Sequence, residues 1–339
     1  VHDLKVCYDA ERGVERWAEA GATDGRAPDL WPYGLHRFAE LGVDVTHTDN
    51  PPLTTSEALR QLVSPSYRRD GAGGPPAQVS IAWDEGAAKR LLVRDRSERN
   101  HCGVIWVNDM TKRTDPPLVW DARRVLLQMD SVWCLSRAQV GPLEELLPGI
   151  RVDPLLFGID PDFFAARDYP DSQAVCSFGG DRHRDPDTLF AALERVRQSH
   201  PHATFDVQST STTPPEWLTL LPRMSPSGVL DVYARSAVVV VTTRSNLHVS
   251  GMTVALEAMA TGRPVVITDS PGMDDYVQDG VTGAVVPSGD DAAVAAAVSR
   301  YLDDPALAAE HGRNGRRLVE STFTTARMCA DLATILGLR

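Results

Sequence analysis

Twice along this chain of 339 residues, short apolar runs of strand length alternate with segments of helical period, and no other feature narrows the possible folds as much. The first series opens with Leu4–Tyr8, continues as a helical pattern over Pro32–Leu41 that stops at Gly42, and resumes at Val43–Val45. After a breaker loop at residues 70–77 it runs through Val79–Trp83, a helix over 86–94, Val104–Val107, a helix over 119–129 and Val132–Leu135. The second series begins at Ala174–Phe178 and proceeds through helix 186–198, Thr204–Val207, helix 227–235, Val238–Val241, helix 253–261, Val265–Ile267 and Ala284–Val286. Strands buried on both faces read as continuous apolar runs, and the helices between them supply the crossovers, so the pattern predicts α/β architecture with parallel sheets.

A chain of this length exceeds what one core of about 100–200 residues serves, so two Rossmann-like domains are expected. The expected division is a first domain over 1–153, a linker over 154–170 carrying Gly158, Pro161 and Pro170, and a second domain over 171–322. Helical segments at 291–303 and 306–319 precede a last helix over 323–339 that is expected to return to the first domain. In such folds ligands bind at the carboxyl ends of the strands, here in a cleft between the two domains.

The net charge of −12 argues against nucleic acid or an anionic membrane surface as a partner. Any phosphate must therefore meet local positive groups. These are mostly arginines, because lysine occurs only at positions 5, 89 and 112. The five cysteines are far apart and mostly lie in apolar runs, which predicts buried reduced thiols. No apolar run reaches the roughly 20 residues that span a bilayer, and no signal-peptide pattern opens the chain, so a cytoplasmic location is expected.

The chemistry concentrates after Val238–Val241. There Thr242-Thr243-Arg244-Ser245-Asn246-Leu247-His248-Val249-Ser250 leads through Gly251-Met252-Thr253 into the helix containing Glu257. A small, hydroxyl-bearing turn entering a helix leaves backbone N–H groups at the positive end of the helix dipole, where a phosphate fits. Ordinary N-capping by Ser250 or Thr253 is the structural alternative. Glu257 stands among apolar neighbours, and a buried carboxylate is costly unless it accepts hydrogen bonds, which ribose hydroxyls can donate.

The run Leu256-Glu257-Ala258-Met259-Ala260-Thr261-Gly262-Arg263-Pro264-Val265-Val266, with Pro271-Gly272 and Gly280-Val281-Thr282-Gly283 behind it, resembles the signature of family 4 glycosyltransferases of the GT-B fold. Two further stretches resemble that family in the right order: Phe157-Gly158-Ile159-Asp160-Pro161 its linker, and Gly179-Gly180-Asp181-Arg182-His183-Arg184-Asp185 its diphosphate-binding loop. The resemblance covers about residues 102–339 and is weak over 1–80. It implies two Rossmann-like domains facing each other across a cleft, and a retaining transfer from a nucleoside diphosphate sugar, most commonly a uridine diphosphate sugar, without a metal or other cofactor.

Carried over by position, Glu257 would hold the ribose hydroxyls, and Gly251, Met252 and Thr253 a phosphate through backbone N–H. Arg182 and Arg184, beside Gly180, would neutralise the departing diphosphate. The family pairs an arginine with a lysine there, and an arginine fork can replace the lysine. The family also carries a second glutamate eight positions before this one, touching the donor sugar, and here that position is Val249. Asn246, His248 and Ser250 are the neighbours placed to take over the contact. On the acceptor side, Asn108 and Asp109 follow a strand that in relatives ends in His-Asp, so no proton transfer is assigned to Asn108. Asp84 and Glu85 end another strand and are expected to orient an acceptor hydroxyl or amine, with N-capping by Asp84 an equally good account.

The implied reaction is sugar transfer to a hydroxyl of a soluble acceptor. The acceptor would be a natural product such as an aminoglycoside precursor, or a growing polysaccharide. Helix 86–94 and Asp95–Glu98 mix both charge signs, which disfavours a stable membrane association. The rivals are a noncatalytic sugar-nucleotide-binding protein, and a sugar phosphorylase or epimerase of the same fold.

Overall fold

The computed structural model describes residues 2–22, 27–64, 77–95, 97–107 and 116–339. They form two compact units, each built on a six-stranded parallel sheet. The first unit draws on described residues within 1–22, 29–157 and 325–339, and the second is built on Gly158–Thr324.

In the first unit the order along the chain is β1 (Asp3–Asp9), α1 (Val14–Ala22), a 3-10 segment (Pro32–Leu41), β2 (Asp44–Asn50), α2 (Thr55–Val63), β3 (Val79–Ala82) and α3 (Glu85–Arg94). Then come β4 (Arg99–Val104), α4 (Pro116–Leu126), β5 (Ser131–Cys134), α5 (Val140–Leu146) and β6 (Arg151–Pro154). The sheet order is β2-β1-β3-β4-β5-β6. Leu91 and Leu92 of α3, Val125 and Leu126 of α4, and Leu143 of α5 close over Cys102, Val104 and Val132 in one apolar layer.

Two local expectations need correction. Pro32–Leu41 has a helical hydrophobic pattern but is a kinked 3-10 segment, because Tyr33 and Gly34 take positive φ values of 62° and 68°. Val104–Val107 is as apolar as a strand, yet β4 ends at Val104. The backbone N–H groups of Ile105, Trp106 and Val107 turn away from the sheet to the Glu85 carboxylate, at 3.1, 2.9 and 2.9 Å.

The second unit runs β7 (Ala174–Ser177), α6 (Pro186–Ser199), β8 (Thr204–Val207), β9 (Thr219–Leu220), α7 (Pro226–Arg235), β10 (Val238–Val241), α8 (Met252–Ala260), β11 (Val265–Thr268), β12 (Gly283–Val286), α9 (Asp291–Asp303) and α10 (Pro305–Thr322). Its sheet order is β12-β11-β10-β7-β8-β9. One face of the sheet carries Leu189, Leu193 and Val196 of α6 with Val294, Val298 and Leu302 of α9. Elsewhere α10 lies close to α8, since a Cβ on Gly315 would stand 2.8 Å from the Met259 side chain. The last helix, α11 (Thr325–Ile335), belongs to the first unit and packs on Pro32–Leu41, where the Cys329 thiol donates to the Gly34 carbonyl at 3.4 Å. All five cysteines are free and buried. Among the described residues no helix is long and apolar enough to cross a membrane.

The second unit contains a fully buried arginine. The Arg263 guanidinium donates to the carbonyls of Tyr233 at 2.8 Å, Asp168 at 2.7 Å and Ala234 at 3.2 Å. Tyr233 and Ala234 are in the last turn of α7, at the negative end of its dipole, and the Tyr233 carbonyl accepts the Ser236 N–H as well at 3.1 Å. A buried cation is tolerated because these acceptors replace water. Replacing Arg263 with methionine removes the guanidinium from the Asp168 and Ala234 carbonyls and leaves Tyr233 only the Ser236 N–H, and should cost about 3 kcal/mol, read as a lower urea midpoint for the second unit. Arg263→Lys should recover only part, because one ammonium cannot span acceptors that the guanidinium reaches with two nitrogens.

Candidate functional site

In the second sheet the chain leaves β7 toward β8 on one side and later returns as β10 on the other. Adjacent strands whose connections depart in opposite directions leave a crevice at their carboxyl ends, the usual ligand position in open α/β sheets. Two loops meet there, 178–185 after β7 and 242–251 after β10. They are tied by an Arg184–Thr243 bridge, by Arg244 N–H to the His183 carbonyl at 2.8 Å, and by the Thr242 hydroxyl to the Asp185 carbonyl at 2.8 Å.

Arg184 is held between two glycines. A Cβ on Gly179 would lie 2.2 Å from its Nε, and one on Gly251 would lie 2.7 Å from Nη1 and 2.5 Å from Val241. Both glycines also have positive φ, 140° and 94°, so close approach and backbone conformation each require the missing side chain. The guanidinium is buried, with Nε and Nη1 lacking hydrogen-bond partners, and its nearest acid is Asp181 at 3.8 Å. Burial lowers its pKa from the ordinary arginine value, while Asp181 opposes the shift. Arg182, two residues earlier, is exposed, as is Gly180.

Gly251 is the N-cap of α8 and makes no side-chain cap, so the first-turn N–H groups and the positive dipole end face the loop next to Arg184. Ser250 does not cap the helix, because its hydroxyl donates to Asp181 instead. Met252 is buried, and its N–H donates to the Val249 carbonyl at 3.1 Å, while Thr253 is half-buried. Further along α8, Glu257 accepts the Tyr233 hydroxyl at 2.9 Å. Burial raises the Glu257 pKa to about 7, against the lowering effects of Tyr233 and of the Arg184 charge. The site therefore pairs a cation and an anion-favouring helix end with a carboxylate that ionises near neutrality.

The loop after β10 is braced from inside. Asn246 is buried, accepts the Ser250 N–H at 2.9 Å and donates to the Arg244 carbonyl at 2.8 Å. The His248 ring lies 4.6 Å from that of His183, centroid to centroid. Val249 is 1% exposed with φ of 54°. A β-branched residue in the left-handed region costs about 1–2 kcal/mol, so this loop holds backbone strain two residues before Gly251, the N-cap of α8. Among the described residues one group can hold a metal ion, Asp181, His183 and His248, whose ligand atoms lie within 4.8 Å of one another. Arg184 already brings positive charge to Asp181 there, and together with the Ser250 hydroxyl and the His183 N–H it keeps the Asp181 pKa below its ordinary value despite burial.

Two contributors escape sequence reading. Tyr233 is the partner of Glu257, 24 positions away, on a helix the sequence placed at 227–235 without marking this residue. Asp181 lies within the recognised loop, yet its bond to Ser250 spans 69 positions and has no sequence signal.

In the first unit the corresponding change of direction falls between β1 and β3. Asp84 stands two residues beyond β3 and caps α3, accepting the Ala87 N–H at 2.9 Å. Glu85 is committed to the three backbone amides at 105–107, and burial raises its pKa to about 7. Beside them Asp9 pairs with Arg90 at 3.1 Å. Burial, with Asp84 nearby, raises the Asp9 pKa. Tyr33 stacks on Trp83 with centroids 4.2 Å apart. Asn108 and Asp109 lie outside the described residues.

Comparison with known proteins bears on the unit that holds this site. The family described as "Glycosyl transferases group 1" matches residues 174–304, from β7 through α9. A stretch of 80 residues is 36% identical to the lipopolysaccharide core biosynthesis mannosyltransferase LpcC of Rhizobium leguminosarum, covering 24% of this chain and 23% of that protein. Over 376 aligned positions the chain is 30% identical to the GDP-mannose-dependent alpha-(1-6)-phosphatidylinositol monomannoside mannosyltransferase of Mycolicibacterium smegmatis, covering 99% of this chain and 90% of the relative. Among solved structures, Alr3699/HepE of Anabaena in complex with UDP-glucose shares the two-sheet GT-B fold, with a TM-score of 0.69, 14% identity and full coverage of both chains. The pairing of an arginine loop after β7 with a glutamate-bearing helix after β10 is thus set in a chain that belongs to the group 1 glycosyl transferases.

Proposed function

We propose that this protein transfers a sugar from a nucleoside diphosphate sugar to a hydroxyl of a soluble acceptor, with retention of anomeric configuration. The observation that carries this reading is Arg184, a buried guanidinium with two nitrogens lacking hydrogen-bond partners, set against the uncapped start of α8. Glycosyl transfer places developing negative charge on the leaving diphosphate, and donors fixed in advance around that charge lower the barrier. Glu257, farther along the same helix, is suited to a ribose diol, because a carboxylate accepts from both hydroxyls at once. Gly251 and Thr253 contribute backbone amides, the Met252 amide being taken by the Val249 carbonyl, and exposed Arg182 adds charge at the edge. Asn246, His248 and Ser250 are proposed to face the sugar where Val249 offers no acid.

The proposed donor is a uridine diphosphate sugar. The Anabaena structure contains UDP-glucose and the M. smegmatis relative is described as GDP-mannose-dependent, so the diphosphate is the feature common to both. The proposed acceptor is a natural product of aminoglycoside type or a growing polysaccharide, oriented by residues of the first unit that include Asp84, Asn108 and Asp109, with Glu85 holding the 105–107 backbone in place beside them. Five buried free thiols fit a reducing compartment, which supports a cytoplasmic site of action. Val249 favours a second reading, a protein that binds the sugar nucleotide without transferring from it. Release of nucleoside diphosphate from a panel of sugar donors, measured with and without acceptor extract, separates the two. Transfer is refuted if no donor is turned over while nucleotide still binds.

Arg184→Lys keeps the charge but loses the fork, and Arg184→Ala loses both. The alanine variant should lower turnover by about a hundredfold and the lysine variant by less, with the fold checked by circular dichroism. Unchanged turnover in Arg184→Ala would remove the residue from the reaction.

Glu257 makes donor binding depend on pH in a definite direction. Below about pH 7 the free protein holds a proton on Glu257 that must leave before the carboxylate accepts both hydroxyls, so nucleotide affinity should rise as pH increases through about 7. Glu257→Gln should flatten that titration. The folded pKa lies above the ordinary 4.5, so the folded state binds the extra proton and the wild type should lose stability as pH rises from 4.5 through about 7. The glutamine variant should show a smaller loss, keeping the share of Glu85, whose pKa burial also raises to about 7, and urea midpoints at pH 5 and pH 8 would show the difference.

A further inference from the structure

Away from the crevice, the second unit carries a cavity of about 410 Å³ whose lining includes Arg167, Arg313, Arg316 and Arg317. Such a concentration is unexpected in a chain of net charge −12. Three of these side chains come from α10, where positions 313, 316 and 317 fall on one face because residues three and four apart are helical neighbours. The fourth comes from the segment before β7, held beside α8 by the Arg167 N–H bond to the Thr261 carbonyl at 3.2 Å.

The four arginines are not equivalent. Arg316 is structural: its Nη1 donates to the carbonyls of Pro161, Phe164 and Ala260, and its Nε pairs with Glu320 at 2.7 Å. It closes the carboxyl end of α8, which accounts for its presence without any ligand. Arg167, Arg313 and Arg317 have no such account. They are exposed, and among the described residues none of them makes an ion pair. Asp168 is the one acid on the cavity wall, so the lining keeps an excess of positive charge. Tyr169 also lines the cavity, and its ring faces the buried Arg263 guanidinium at 5.8 Å, which fixes that side of the wall. Among the described residues Arg167 and Arg313 make no side-chain hydrogen bond, and Arg317 bonds only the neutral Asn314 side chain, so none of the three positive charges is met by an acid.

We propose that this cavity binds the phosphate group of a small anionic metabolite, at a site separate from the crevice after β7 and β10. Arginine forks match phosphate oxygens in pairs, and the volume suits a ligand of sugar-phosphate size. A polyanion such as nucleic acid is disfavoured by the net charge. Gly262 and the carbonyl held by Arg316 form the carboxyl end of α8, so a bound phosphate would sit at the opposite end of the helix that starts beside Arg184. The site does not depend on the donor reading.

Isothermal titration with inorganic phosphate and with glucose 6-phosphate, against a sodium chloride control, tests the site. The wild type should show saturable binding of at least one probe, and a tighter sugar phosphate would mark the metabolite rather than the free ion as the natural class. The double variant Arg313→Ser/Arg317→Ser should bind about tenfold more weakly or less well still, with an unchanged thermal midpoint in probe-free buffer. Ala309→Glu, which places a negative charge on the same wall, should do likewise. Arg184→Ala locates the bound phosphate and should leave the signal intact. Absence of saturable binding, equal affinity in the cavity variants, or loss of the signal only in Arg184→Ala would each overturn the proposal.

Discussion

Val238 and Val239 of β10 pair with Val175 and Cys176 of β7, and this short parallel contact places everything else in the second unit. It joins strands separated by about sixty positions and brings the ends of two loops to one spot. If β10 paired elsewhere, Arg184 and Gly251 would not meet, and Glu257 would lose its neighbour charge. The valine run is fully buried on both faces, and the register has no competing polar pattern to satisfy.

The charges collected at that spot are held by neighbours that are themselves held. Tyr233 shows this most clearly. Its carbonyl accepts from Arg263, its hydroxyl donates to Glu257, and its ring meets Phe178 edge-on at 5.2 Å. Phe178 directly follows β7, so one tyrosine links the buried arginine, the carboxylate on α8 and the start of the arginine loop. Ser250 and Asn246 make the matching connections on the other loop, through Asp181 and the Arg244 carbonyl. Partners fixed in this way need little rearrangement when a charged ligand arrives, which is the physical content of preorganisation.

The strands were legible wherever apolar residues ran without interruption, since a buried parallel sheet demands that pattern. Val104–Val107 shows the limit. Those residues are apolar enough for a strand, but hydropathy does not reveal that Glu85 would claim three of their amides. Tyr33 hides its conformation for a related reason, because nothing in its identity announces a positive φ. In the site, Glu257 was legible because a carboxylate among alanines and methionines has few bland explanations. Arg182 and Arg184 looked alike in sequence, and only the three-dimensional loop puts one in solvent and the other against two glycines. Contacts such as Tyr233 with Glu257, or Ser250 with Asp181, depend on which strands neighbour one another, and composition and periodicity carry no record of that.

The placement of α11 has a further consequence. Cys329, Leu332 and Leu336 are buried in the first unit, and Arg99 and Arg151 donate to the carbonyls of Leu336 and Ile335. A ribosome therefore finishes all six strands of the first sheet long before it makes the helix that covers Pro32–Leu41. The later-encoded unit acquires its whole sequence first. During synthesis the first unit waits with an apolar face uncovered, the kind of surface chaperones shield, until α11 has been made.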